Sequence, residues 1–239
     1  MISTGQLLVT LLLIGRLILY PLGALILLRQ WLKGKAKYYT DLPFIFALVL
    51  IIMCFYTAIE IFFVAFYPVA SIDSPIGQIA YLIDLNLNTV VYGLNFAILL
   101  AVWFPTHKRG ILFSILGWII FTEIAILLAA FINIALMDIL LVIIGLPMYI
   151  IFVITFYFCY YQKRLPNIHP LLIGSGMLVI LIAHLFHSML GQMGIRLAGI
   201  YTDATWPAMI IWLIGFLVMV IGFTRKAPYF HTTQSLNSM

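Results

Sequence analysis

The sequence predicts an all-α membrane protein, a polytopic bundle of seven transmembrane helices with its N-terminus outside and its C-terminus in the cytoplasm. Three observations support this fold class. Of the 239 residues, 65% are hydrophobic and 8% are charged, whereas soluble domains carry about 25% charged residues. The apolar residues form segments long enough to cross a bilayer. The basic residues gather on one side of these segments.

Polar or Pro-rich breaks divide the chain into seven apolar segments. A bilayer core about 30 Å thick requires roughly 20 residues per helix. The predicted helices comprise residues 6–30, 42–67, 78–104, 110–133, 137–161, 169–193 and 206–224. Only Asn133 and Asp138 mark the break between the fourth and fifth helices, but the 52 residues from Gly110 to Tyr161 are about twice the length of one span. Residues 1–224 therefore form one transmembrane domain, and residues 225–239 form a short cytoplasmic tail.

The basic residues of the loops orient the predicted bundle. One side holds nine of them, namely Lys33, Lys35, Lys37, Lys108, Arg109, Lys163, Arg164, Arg225 and Lys226. The other side holds Arg196 alone, beside Asp73, Asp138 and Asp203. Because cytoplasmic loops are enriched in Lys and Arg, the first side faces the cytoplasm, and an odd number of helices places the N-terminus outside. We expect a multi-pass protein of the cell membrane.

The net charge of +5 does not indicate a nucleic-acid partner. The basic residues occur in short clusters between apolar segments, where orientation in a lipid bilayer explains them more simply. The two cysteines, Cys54 and Cys159, both lie within apolar segments, and we predict no disulfide between them. The partner that composition indicates is the lipid bilayer.

Six charged or ionisable residues lie at bilayer depth, away from the ends of the predicted helices, where a charge is costly unless it is paired or hydrated. They occupy two layers of the outer half: Glu60, Asp84 and His187 about 10 Å below the outer surface, and Arg16, Glu123 and His184 nearer the midplane. Intramembrane ionisable residues are default functional candidates. We therefore expect any site to open toward the outside.

A polar stripe runs along the third predicted helix. Tyr81, Asp84, Asn88, Tyr92 and Asn95 follow spacings of three, four, four and three, which places them on one helical face. Because a polar stripe facing lipid would be prohibitive, the helix is predicted to be central with this face inward. The stripe could line a ligand pocket or supply hydrogen bonds between helices.

The ionisable residues are candidates for a ligand pocket, a structural ion pair or a metal site. His184 and His187 share a helical face and could point into one cavity. Arg16 and Glu123 are predicted to form a structural ion pair between the first and fourth helices. With Glu60 and Asp84, the two histidines offer ligands that suit zinc or iron, although His-x-x-His alone is not diagnostic.

The helix number and orientation resemble those of microbial rhodopsins and seven-helix receptors. A retinal Schiff base needs a lysine buried in the bundle. All six lysines of this chain lie at the predicted cytoplasmic edge, which excludes retinal as a cofactor.

Three functions remain open, and a sensor or receptor-type domain ranks first. In it, a polar pocket in the outer half binds a ligand and shifts a two-state bundle, which a cytoplasmic or membrane signalling partner reads. The second is a small secondary transporter or proton-coupled carrier, with Pro21, Gly145 and Pro147 as bending points. The third is a metal-dependent intramembrane enzyme. No catalytic residue is assigned.

Overall fold

The structure is a computed structural model that describes residues 4–34, 41–66, 74–104, 106–132, 134–190, 196–197 and 201–229. Within these residues the chain forms seven α-helices and two short strands. They are α1 Thr4–Leu32, α2 Leu42–Phe66, α3 Pro75–Trp103, α4 Lys108–Ile132, α5 Ile134–Tyr161, α6 Pro170–Leu190, β1 Arg196–Leu197, β2 Tyr201–Thr202 and α7 Trp206–Thr224. The prediction of an all-helical bundle is confirmed.

Five of these helices contain a stretch that is long and apolar enough to cross a bilayer, counted over the described residues. They are Thr4–Leu32, Leu42–Phe66, Asn86–Trp103, Pro170–Leu190 and Trp206–Thr224. The second part of α5, Gly145–Tyr161, is a shorter apolar helix. The chain is therefore a helical membrane protein, as its composition predicts.

Helix starts follow the chemistry of proline. α3 begins at Pro75, three residues before the predicted start, and α6 begins at Pro170. Proline is favoured at the first helical position because the missing N–H has no partner there in any helix. α6 ends at Leu190, and residues 191–193 of the predicted helix lie outside the described residues. The boundary between α4 and α5 lies at the predicted Asn133 end of the break, but α5 begins at Ile134, so residues 134–136 and Asp138 belong to the helix.

Six helices close a ring and the seventh lies outside it. α1 packs against α2 and α7, α2 against α3, α3 against α5, α5 against α6, and α6 against α7. α4 packs against α3 and α5. The third helix, predicted to be central, is a member of the ring with three neighbours, α2, α4 and α5, and α5 likewise has three, α3, α4 and α6. α4 is peripheral, which hydropathy alone does not reveal.

The interface between α6 and α7 is a close contact between two backbones. A methyl group on Gly176 would lie 2.6 Å from the carbonyl oxygen of Gly215, and one on Gly215 would lie 2.7 Å from the carbonyl oxygen of Gly176. One on Gly222 would lie 2.8 Å from the backbone nitrogen of Ile173. Small residues allow such contact between membrane helices, where packing replaces the hydrophobic effect. α6 and α7 thus form a tight pair.

A small hairpin connects α6 to α7. β1 and β2 pair in antiparallel register, with Arg196 opposite Thr202. The Thr202 hydroxyl donates a hydrogen bond to the Leu190 carbonyl oxygen at 3.2 Å, and the backbone of Asp203 fills the space beside Gly5 at the start of α1. Two-residue strands leave no periodicity for sequence reasoning to detect. The hairpin attaches this end of α7 to both α6 and α1.

The loop between α5 and α6 shows how α5 ends. Arg164 N–H donates to the carbonyl oxygen of Cys159 at 2.8 Å, and Lys163 N–H donates to that of Tyr160 at 3.1 Å. This pair of bonds is a Schellman motif, which requires a left-handed residue after the helix. Lys163 takes that conformation, with φ 53°. The Tyr229 hydroxyl, beyond α7, donates to the carbonyl oxygen of Arg164.

Candidate functional site

A layer of polar side chains separates two apolar clusters in the core. The larger cluster includes Leu27, Phe46, Ile98, Phe152 and Phe223, and the smaller one comprises Val9, Leu13, Phe63, Val64 and Met209. The polar layer is built from Arg16 and Tyr20 of α1, Thr57 and Glu60 of α2, Tyr149 of α5, His184 and His187 of α6, and Trp212 of α7. Five helices of the ring therefore contribute to one site.

Arg16 is the charged centre of this layer. Its side chain is only 7% exposed, and its guanidinium carbon lies 4.8 Å from the centre of the Trp212 ring. This is a cation–π contact, which gains strength when water is excluded. Arg16 is also close enough to His184 and His187 to interact with both electrostatically. One guanidinium thus links α1, α6 and α7.

Tyr20 lies one turn below Arg16 on α1 and is fully buried. Its ring makes edge contacts with Trp212 at 5.5 Å and with Phe216 at 5.3 Å. Its hydroxyl lies near Thr57 and Glu60 of α2. The Tyr20 and Thr57 hydroxyls interact with each other, but within the described residues neither forms a hydrogen bond of full geometry. Buried hydroxyls in this state cost free energy, so a water molecule or the polar group of a ligand would stabilise them.

An aromatic chain extends the layer across the ring. The Tyr149 hydroxyl is hydrogen-bonded to Nε2 of His184 at 3.0 Å. The Tyr92 ring of α3 meets the Tyr149 ring edge-on, with centroids 6.0 Å apart. Tyr92 also lies over Gly145, where a methyl group would be 2.9 Å from its hydroxyl oxygen. The glycine makes room for Tyr92, so α3, α5 and α6 are joined at this level.

Along the inward face of α6, the side chains change from buried to exposed at the two histidines. Ile173, Met177, Ile180, His184 and His187 follow spacings of four, three, four and three, which places them on one face. The first three are buried, whereas His184 is exposed and His187 is partly exposed. The exposed apolar residues of α6 lie away from this face: Leu178, Ile182, Leu185, Phe186 and Met189. The histidines therefore lie on the inward face of α6, where the side chain of His184 is accessible.

The structure describes the side chains of three of the five residues in the predicted α3 stripe. Asn88, Tyr92 and Asn95 lie on α3, with Tyr92 against Tyr149 and Asn95 buried. Among the described residues, Oδ1 of Asn95 has no hydrogen-bond partner. Tyr81 and Asp84 lie outside the residues whose side chains are described. Whether the stripe lines a pocket or joins helices stays a prediction.

The structure describes the side chains of three of the four predicted metal ligands. Within the part of the chain that the structure describes, no three His, Cys, Asp or Glu side chains are arranged to hold a metal ion. Glu60, His184 and His187 belong to the polar layer, but Asp84, the fourth predicted ligand, lies outside the described side chains. The four-ligand set stays a prediction.

Arg16 and Glu123, the predicted ion pair, lie on helices with different main neighbours. α1 packs against α2 and α7, whereas α4 packs against α3 and α5. The contacts described for Arg16 are those with Trp212 and the histidines. The ion pair stays a prediction.

Four members of the layer are absent from the sequence-based candidates. Thr57 precedes Glu60 by three residues and Tyr20 follows Arg16 by four, so helical spacing from the two charges would have identified both. Trp212 and Tyr149 are not close in sequence to any intramembrane charge, and only the packing of α5 and α7 brings them in. No family model, no curated protein and no solved structure matches this chain.

Proposed function

We propose that this protein is a receptor-type or sensor bundle of seven membrane spans, whose ligand enters from outside and binds at the polar layer. The observation that supports this best is the change along the inward face of α6, from buried Ile180 to exposed His184 and partly exposed His187. His184 is hydrogen-bonded to Tyr149 and lies near Arg16, so a ligand that enters beside the histidines would reach both.

We propose that α4 and α5 also span the membrane, in the orientation predicted from the loops. With 25 and 28 residues and a rise of about 1.5 Å per residue, both exceed the roughly 30 Å of a bilayer core. The nine-to-one distribution of basic loop residues places the α6 C-terminal end outside. The opening beside His187 then faces the exterior.

The layer has the composition that a regulated site requires. Hydroxyl, imidazole, carboxyl, guanidinium and indole groups from five helices meet between two apolar clusters, so a ligand that contacts several of them favours one arrangement of the helices over another. The apolar clusters on either side keep those helices together. A cytoplasmic or membrane signalling partner would read the change.

Transport is the second candidate, and one observation favours it. Pro21 of α1 and Pro147 of α5 lie inside their helices, next to Tyr20 and two residues from Tyr149. Proline weakens a helix locally, so both helices have a bending point at the level of the site. A carrier would use these points to expose the layer alternately to each side.

Ligand-dependent stabilisation tests the proposal. The purified chain in lipid nanodiscs is unfolded thermally with a panel of amino acids, carboxylates, sugars, nucleosides, amines and divalent cations. A ligand at 100 times its Kd adds about 2.7 kcal/mol. We expect at least one class to stabilise the wild type but neither His184→Phe nor His187→Phe, whereas Met189→Leu on the opposite face of α6 should respond like the wild type.

Two outcomes would contradict the receptor proposal. One is a panel in which no class stabilises the wild type, or in which His184→Phe responds fully. The other is transport. If the radiolabelled stabilising compound enters reconstituted liposomes down its concentration gradient, the protein is a carrier. Metal analysis of the same preparation tests the enzyme hypothesis, because a resident zinc or iron ion would be stoichiometric.

A further inference from the structure

The peripheral helix α4 has one packed face and one open face. Ile111 and Thr122 are buried, and Trp118 stacks on Phe96 of α3 with ring centroids 5.0 Å apart. Apart from Ser114, the exposed residues of the open face around Glu123 are mostly large and apolar: Leu112, Phe113, Leu116, Ile120, Phe121, Ile124, Leu127 and Leu128. Contact with lipid alone would account for these exposed apolar side chains.

Glu123 interrupts this open face near its centre. It lies three residues from the middle of α4, Lys108–Ile132, or about 4.5 Å along the axis. Its neighbours at three, four and seven residues on the helix surface are Ile120, Leu127 and Leu116, which are 57%, 49% and 48% exposed. Glu123 itself is partly exposed. A carboxyl group therefore borders lipid at the depth where it costs most.

Within the part of the chain that the structure describes, no side chain forms a hydrogen bond or an electrostatic contact with the Glu123 carboxyl group. The one described basic residue in the middle of a helix is Arg16, which is buried against Trp212, and α4 has α3 and α5 as its main neighbours. The other described basic residues lie at helix ends or in loops. The described basic residues therefore offer no cationic partner for Glu123.

We propose that the open face of α4 docks a transmembrane helix of another protein, which carries a Lys or Arg side chain at the depth of Glu123. Opposite charges in the membrane interior compensate each other's desolvation, and an apolar helix face supplies the packing around them. A second copy is less suited, because a two-fold contact through α4 would oppose two carboxyl groups. The surface is separate from the polar layer.

The test uses a defined helix as the partner. The full chain, labelled with a fluorescent donor, is reconstituted in phosphatidylcholine vesicles with an acceptor-labelled transmembrane peptide of Leu and Ala that carries one central Arg. Peptides with a central Leu or a central Glu serve as controls. We expect energy transfer to show about tenfold tighter association of the Arg peptide than of the Leu peptide.

Variants assign that preference to the carboxyl group. Glu123→Gln and Glu123→Leu should lose the preference for the Arg peptide, Glu123→Asp should retain it, and Ile120→Leu, on the same face, should be unchanged. Thermal unfolding of each variant checks that the bundle is intact. Equal binding of the Arg and Leu peptides, a preference that survives in Glu123→Gln, or self-association of the wild type that depends on Glu123 would overturn the proposal.

Discussion

Replacing Gly176 by alanine should separate α6 from α7 and destabilise the whole bundle. The added methyl group would lie 2.6 Å from the carbonyl oxygen of Gly215, 2.7 Å from the backbone nitrogen of Met219 and 2.8 Å from its Cβ. Two of these three atoms belong to the backbone of α7 and cannot turn aside. Ordinary contact begins at 3.4 Å, so the helices would have to move apart by about 0.8 Å, enough to lose a quarter to a half of the dispersion attraction between the atoms concerned.

Insertion of a methyl group into a packed interface costs about 1–3 kcal/mol. For a chain of this size, that corresponds to a decrease in Tm of about 2–12 °C, measured by thermal unfolding in nanodiscs. Gly117→Ala is the matched control, because a methyl group there meets nothing within 4 Å. It should be neutral or stabilise the helix by up to about 1 kcal/mol. If Gly176→Ala unfolds at the same temperature as Gly117→Ala, the close packing of α6 on α7 is wrong.

Three further changes follow from described contacts. Tyr149→Phe removes the hydrogen bond to His184 and should lower the free energy of unfolding by about 0.5–1.5 kcal/mol; an unchanged Tm in thermal unfolding would contradict the bond. Lys163→Gly relieves a positive φ at the end of α5 and should raise stability by about 0.5–1 kcal/mol in the same assay. Burial, with the nearby Cys159 and Tyr160, raises the pKa of Tyr229 from 10.0 to about 12. Since the folded chain favours the neutral phenol, the contribution of Tyr229 to the free energy of unfolding should be constant below pH 10 and fall between pH 10 and 12. Unfolding of Tyr229→Phe should therefore depend less on pH in that window than unfolding of the wild type, and an identical pH dependence would refute the prediction.

Sequence reasoning succeeded where a single segment determines its own structure. In lipid, each span must satisfy its backbone hydrogen bonds internally, so length and hydropathy predict the helices, including the separation of α4 from α5 near Asn133. Pro75 and Pro170 set two starts that hydropathy alone placed at 78 and 169.

What sequence could not predict depends on contacts between segments. The peripheral place of α4 follows from packing, and so does the outward position of Glu123 among Leu116, Ile120 and Leu127. Arg16, Glu60, His184 and His187 of the polar layer are candidates from sequence because intramembrane charges are conspicuous, although Arg16 was expected to pair with Glu123. Trp212 was not, because an aromatic residue within an apolar helix has no distinctive pattern until its ring is found beneath a guanidinium group.

The central claim is that α6 opens toward an outward-facing site at His184, and thiol accessibility tests it most directly. In a background of Cys54→Ser and Cys159→Ala, single cysteines replace Met177, Ile180, His184 and His187 in turn. Intact cells are then treated from outside with a membrane-impermeant maleimide. We predict labelling of the His184→Cys and His187→Cys variants and protection of the Met177→Cys and Ile180→Cys variants. Protection of all four positions, or labelling at His184→Cys only after the cells are opened, would contradict an outward-facing site.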